Sequence, residues 1–209
     1  MSIYLNNADR KSTINEASNP SIGTYYLAQE PTHYELQRSN NFMFYVKFPE
    51  GYFADDAILN AVNEYAAKGA SEVLRVSVSS ASVPHFTTSP IELKRGNNTM
   101  KFAGVPQFNE GKLVLDDFIG AGTKDLALAW QRKVYNVETE KVGLASDYKL
   151  TGWLKEYTPD YQTVRTWKLD GCWISGIDEG EYDHNQADKR SINITLQYDK
   201  AMPYKNDLV

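Results

Sequence analysis

Short runs in which apolar and polar side chains take turns recur along most of the chain, and this period of two predicts β-strands. In residues 41–48, NFMFYVKF, Phe42, Phe44, Val46 and Phe48 share one face, Met43 and Tyr45 the other, and Pro49 and Gly51 end the run. In residues 71–84, Leu74, Val76 and Val78 alternate with Arg75, Ser77 and Ser79, which predicts a strand with one buried and one wet face. Residues 91–94 and 99–103 flank the turn signal Arg95-Gly96-Asn97-Asn98 and predict a hairpin. Residues 112–117 add a strand with Leu113 and Leu115 on one face, and further strands are predicted at 148–157, 163–171 and 190–201. The last alternates most cleanly: Ile192, Ile194, Leu196 and Tyr198 face in, while Ser191, Asn193, Thr195, Gln197 and Asp199 face out.

Two stretches change period. Ile58, Ala61, Val62, Tyr65 and Ala66 recur at three and four, predicting a helix that Asp55 or Asp56 caps and Gly69 ends. Leu126, Ala129, Trp130, Lys133, Val134 and Val137 form a second stripe over 123–137, with Thr123 as N-cap and Asp125 at the positive end of the dipole. The chain therefore reads as mainly antiparallel β, a sandwich or barrel with a flanking helix. It divides into an arm over 1–40, a β domain over 41–201 with a helical insert near 54–68, and a tail over 202–209. The arm is rich in Asn, Ser, Thr and Gln and broken by Pro20 and Pro31, with Tyr25, Tyr26 and Leu27 as anchors for a neighbour. No fixed-period repeat is present.

Composition narrows the classes. The 209 residues carry 22 Lys plus Arg against 27 Asp plus Glu, a net charge of -5 that argues against a protein that coats nucleic acid. No apolar run approaches the roughly 18 residues of a membrane span, and the N-terminus has no apolar secretory core. The one cysteine, Cys172, excludes an intrachain disulfide and sits in an apolar setting that predicts a buried thiol.

A search for chemistry finds little. His33, His85 and His184 have no metal-ligand spacing, so zinc has no local support. The sequence DEGEYDH over 178–184 concentrates carboxylates, but it lacks the alternating ligand pattern of a Ca²⁺ loop and reads as a charged connection balanced by Lys189 and Arg190. Gly120-Ala121-Gly122 before a helix is not a phosphate loop, and no GxSxG elbow occurs. No catalytic constellation or cofactor site emerges, which predicts a non-enzyme.

Several segments carry a resemblance. NFMFYVKF, LRVSVSSASVPHF, PIELKRGNNTMKFAGVPQF followed by GKLVLDDF, and the helix with Trp130-Gln131 occur in the order seen in tube proteins of contractile phage tails. KLDGCWISGIDEGEYD followed by INITLQYDKA is the most specific match. Over about residues 41–201 the chain resembles that family; the arm and the insert look like additions to it.

The resemblance implies a structural protein of the virion, assembled in the host cytoplasm. Such proteins form hexameric rings that stack into a hollow tube, with strands from all subunits closing one inner β-barrel that removes free edges. It implies as partners further copies of the chain, a tail sheath, baseplate and tail-terminator proteins, a tape measure protein, and DNA passing through the lumen on ejection. A conduit must not hold DNA, and the acidic balance agrees with that. The expected lumen-facing residues are Arg75, Ser77, Ser79, Ser191, Asn193, Thr195, Gln197 and Asp199. Lys94 and Arg95 at the hairpin turn are expected to meet Asp178, Glu179, Glu181 and Asp183 of the next ring. A bacterial contractile injection tube or a tube-initiating baseplate protein shares this pattern. The rival class is a monomeric β-sandwich that binds carbohydrate on Trp153 and Trp167.

Overall fold

The computed structural model describes residues 36–185 and 188–204. Its chain divides into two units, 1–38 and 39–209. The predicted arm lies, up to residue 35, outside the described residues, as do Tyr25, Tyr26 and Leu27.

The second unit is built on antiparallel strands ordered β1–β8–β9–β10–β5–β2, with β11 also on β9. These are β1 Phe42–Val46, β2 Val78–Ala81, β5 Gly111–Asp116, β8 Leu150–Tyr157, β9 Thr163–Asp178, β10 Ser191–Gln197 and β11 Lys200–Tyr204, while β6 Tyr135–Asn136 and β7 Lys141–Val142 pair only with each other. Alternation drives most of them: Phe44 and Val46 of β1 and Ile192, Ile194 and Leu196 of β10 are buried while their neighbours are not. Strand β9 runs past its expected end at Gly171 and pairs first with β8 and β11, then with β10. The change of partner falls between Cys172 and Trp173, just after Gly171, whose φ of +71° puts a kink in the strand. Phe44, Leu154 and Leu169 of one half line the same interior gap as Leu113, Leu196 and Tyr198 of the other, so the halves pack face to face.

Helices cover part of this sheet. Helix α4, Thr123–Val134, packs on β9 and buries Leu126, Ala127, Ala129 and Trp130. Trp130 meets Phe48 edge-on at 5.3 Å, and its Nε1 donates to the Tyr148 carbonyl at 3.2 Å. The cap of α4 is Gly122 in the left-handed region, not Thr123. Thr123 is instead the first helical residue, buried, with its hydroxyl 2.8 Å from Ser77 Oγ. Val137 lies beyond the helix and is exposed.

Two sequence expectations are corrected here. The insert is not one helix but α1, Ala57–Val62, and α2, Glu64–Lys68. Asn63 ends the first and caps the second through Ala66 N. This break resets the phase, so Leu59 and Ala66 are buried while Ile58, Val62 and Tyr65 are exposed. The strand expected over 71–84 is mostly helix α3, Ala70–Ser77, and only Val78–Ala81 is strand. Ala70, Val73, Leu74 and Ser77 are its buried residues, at offsets of three, four and seven from Ala70, and Val76 is left exposed. Strand β11 also carries the pairing through Tyr204, into the segment expected to be tail.

Candidate assembly surface

Between β2 and β5 the chain leaves the sheet as a hairpin, β3 Phe86–Arg95 and β4 Asn98–Phe108. It prolongs the β2–β5 ladder: Ser82 N donates to Lys112 O at 2.9 Å, and Asn109 N to His85 O at 3.1 Å. Gly96, with a φ of +60°, makes the tight turn at the tip. Gly104 is needed further down, where a Cβ would run into the Ser89 carbonyl beside the register shift at Pro90.

The distal part has two different faces. Ile91 pairs with Phe102 and Leu93 with Met100, so four apolar side chains share one face. On the other, Glu92 opposes Lys101 with an ion pair at 3.6 Å, and Lys94 opposes Thr99. Every residue of β3 is exposed, and in β4 Gly104 and Phe108 alone are partly covered. Phe102 is 51% exposed and Ile91 59%. A two-stranded ribbon with a bare apolar face is marginal in water, because nothing repays the ordering of its backbone.

The expected lumen residues are brought together only in part. Ser191, Asn193, Thr195 and Gln197 lie on the outward face of β10, beside Lys112, Val114 and Asp116 of β5. Ser79, in the bulge of β2, is exposed next to them and donates to Val114 O at 3.1 Å. Ser175 Oγ donates to Thr195 O and Gln197 Nε2 to Glu110, so this face is polar and partly tied by its own hydrogen bonds. Three expected residues do not join it. Ser77 is buried in α3 against Thr123, because the helix turns it inward. Arg75, also on α3, pairs with Glu72 and borders a groove of about 380 Å³ with Phe42, Met43, Tyr157 and Tyr161. Asp199 lies beyond the bend after β10 and binds Lys149 Nζ at 2.7 Å.

The residues expected between rings lie on separate parts of the unit. Lys94 and Arg95 stand at the hairpin tip, while loop 178–183 follows β9 at the far end of β5. Glu179 is already engaged: Lys124 Nζ lies 2.5 Å and Arg190 3.5 Å from its carboxylate, and the Arg190 guanidinium stacks on Tyr182 at 3.7 Å. The Glu179 hydrogen bond holds the Lys124 ammonium above its usual pKa. Asp178 and Asp183 accept from the backbone of Gly180 and Asn185 in their own loop. Among the described residues, no three His, Cys, Asp or Glu side chains converge as a metal site.

Cys172 is fully buried, and burial pushes its thiol up to about 12, so it is an unreactive core group. Trp153 stacks on Tyr45 and Trp167 donates to Glu156; both are packed within the sheet's own contacts. The sequence reading missed the turn after β5, where Phe118 is 44% and Ile119 93% exposed. An apolar pair between Asp116-Asp117 and a Gly-rich stretch was the available signal. No helix among the described residues is long and apolar enough to cross a membrane.

No protein-family model matches the chain, and no curated protein sequence does. Solved structures match its fold. One is a chain of the sheath–tube complex of an extracellular contractile injection system in its extended state, with a TM-score of 0.56, 16% identity, and coverage of 85% of this chain and 96% of that one. A second is the tube-terminating cap of the anti-feeding prophage, with a TM-score of 0.57, 14% identity, and coverage of 81% and 91%. A third is the sheath/tube terminator of the extracellular injection system, with a TM-score of 0.53, 17% identity, and coverage of 81% and 97%. The chain thus has the mainly antiparallel β fold of contractile tube and tube-terminator proteins, with its sheets left open at their edges.

Proposed function

We propose that this chain is a structural protomer that self-assembles into the inner tube of a contractile particle. The observation that carries the reading is the free-standing hairpin. Its face of Ile91, Leu93, Met100 and Phe102 has no cover among the described residues of the protomer. A second copy supplies that cover at once in a ring or stack, and ring closure removes the open strand edges. Hexameric rings that stack into a hollow tube fit both requirements. The polar face of β10 and β5 then lines the lumen, where Ser191, Asn193, Thr195 and Gln197 are uncharged and the one cation, Lys112, is balanced in number by Asp116, so the face offers no net positive charge to a phosphate backbone. A sheath around the tube, baseplate and terminator proteins at its ends, and a tape measure protein followed by DNA inside it complete the assembly, in a virion tail built in the host cytoplasm.

A second reading within this class has specific support. The fold is similar to chains of an extracellular contractile injection system and to the tube-terminating cap of the anti-feeding prophage, so a bacterial injection tube fits the fold equally well.

Sedimentation of the purified chain tests the reading. The intact chain forms particles far larger than a protomer. Phe102→Asp, which charges the bare hairpin face without touching the core, stays a folded protomer. Equal assembly by this variant would refute the role given to the hairpin.

A further inference from the structure

Two bare apolar surfaces stand at opposite ends of one ladder. The hairpin leaves the sheet where β5 begins, at Gly111. The turn bearing Phe118 and Ile119 follows where β5 ends, at Asp116, six residues or about 20 Å further along. Ile119 is 93% exposed, and a Cβ at the adjacent Gly120 would meet nothing within 4 Å, so the turn is a knob standing clear of the body. The turn is anchored on its own side: Asp117 N donates to Arg190 O at 3.1 Å, and Gly122 N to Phe118 O at 2.9 Å.

The charges around the two surfaces are of opposite sign. Lys94 and Arg95 cap the hairpin, and no ion pair forms on either among the described residues. Beside the knob, Asp117, Asp125, Asp178, Glu181 and Asp183 are likewise without an ion pair among the described residues, Glu179 being taken by Lys124 and Arg190. A protein with a sticky arm at one end and a matching knob at the other makes a heterologous contact, which propagates as a stack rather than closing as a dimer. A twofold pairing of hairpins would instead bring Lys94 and Arg95 against their own copies.

We infer that the knob of Phe118 and Ile119 is the seat for the apolar face of the hairpin from the next copy of the chain, with the acidic residues beside it receiving the basic tip. This rests on the tube reading above and names the acceptor that reading lacks. Ile91, Leu93, Met100 and Phe102 pack over Ile119, and Lys94 and Arg95 reach the rim of Glu181 and Asp183. Burial of Ile119 covers the most exposed large apolar side chain among the described residues.

Cross-linking between two single-cysteine variants tests it. Native Cys172 is buried and unreactive, so introduced thiols report alone. Phe102→Cys and Ile119→Cys are purified separately, one with a longer tag, then mixed under assembling conditions and oxidised. The inference expects a mixed disulfide dimer at least tenfold above either homodimer, since bridging needs the two Cβ atoms within about 4.5 Å. Ile119→Asp, at an exposed site that leaves the fold intact, is expected to sediment no faster than a single ring. Assembly that persists in Ile119→Asp, or tubes without the mixed dimer, overturns the knob as acceptor while leaving the tube reading standing. Failure of the intact chain to assemble, with Phe102→Asp indistinguishable from it, overturns the tube reading itself.

Discussion

Asp56 and Arg132, 76 residues apart, are joined by a two-pronged ion pair, with Arg132 Nε 3.1 Å from Oδ2 and NH2 2.9 Å from Oδ1. The same carboxylate caps α1 by accepting from Leu59 N at 2.8 Å. One side chain therefore starts the insert and ties it to α4. Asp56→Ala removes a cap and strands a half-covered guanidinium. The expected cost is about 2–3 kcal/mol, read as a lowered denaturant midpoint, with Arg132→Met costing less because the cap survives.

The pair also gives stability a pH dependence. Burial alone would raise the Asp56 carboxyl, but the Arg132 hydrogen bonds, the Leu59 N–H and the nearby Lys133 charge outweigh it and hold the pKa below the usual carboxylate range. A depressed folded-state pKa means that this stability is present above the unfolded value, near 3.9, and is lost as pH falls through the folded one. Thermal melts of the intact chain and Asp56→Asn are expected to differ at neutral pH and to converge in acid. Parallel curves across that range would contradict the linkage.

The kink of β9 depends on a missing Cβ. Gly171 has a φ of +71°, and a side chain there would run into the Asp199 carboxylate that Lys149 holds. Gly171→Ala pays both backbone strain and displacement of Asp199. A loss of about 2 kcal/mol is expected in chemical denaturation.

The final long strand tests which face is core. Leu196 is 2% exposed between β5 and β9. Leu196→Asp buries an unpaired charge and is expected to abolish the folded state by circular dichroism, whereas Asn193→Asp on the outward face leaves the melt unchanged within about 0.5 kcal/mol.

The hairpin tip tests electrostatics between copies. Reversing both charges, Lys94→Glu with Arg95→Glu, is expected to leave a folded protomer that no longer stacks. Raising salt is expected to weaken stacking of the intact chain. Normal-length tubes from the double variant would remove these residues from the contact.

How much of this was legible in the sequence depended on whether one period stood alone. Strand β10 has a single period of two and α4 a single helical stripe, and both start within a residue of where the pattern put them, though the strand ends at Gln197 and the helix at Val134, short of the expected 201 and 137. Residues 70–77 carry both periods. Leu74, Val76 and Val78 suggest a strand, while Ala70, Val73, Leu74 and Ser77 suggest a helix. Contacts distant in sequence decide for helix: Ser71 Oγ accepts from Phe48 N and Ser77 meets Thr123. The insert stripe failed for a local reason, since Asn63 is at once the end of α1 and the cap of α2. At the assembly surface, alternation in the hairpin was readable, but the absence of any layer beneath Ile91 and Phe102 is a property of the fold. The engagement of Glu179 by Lys124 and Arg190 likewise joins three segments that no local pattern connects.

The central claim is that copies of this chain build a hollow tube. Negative-stain electron microscopy of the purified protein over a range of concentrations tests it most directly. The account predicts rings with an open centre in end view and hollow stacks of them in side view, growing longer with concentration. Monodisperse protomers at the highest concentration, or solid aggregates without a channel, would contradict it.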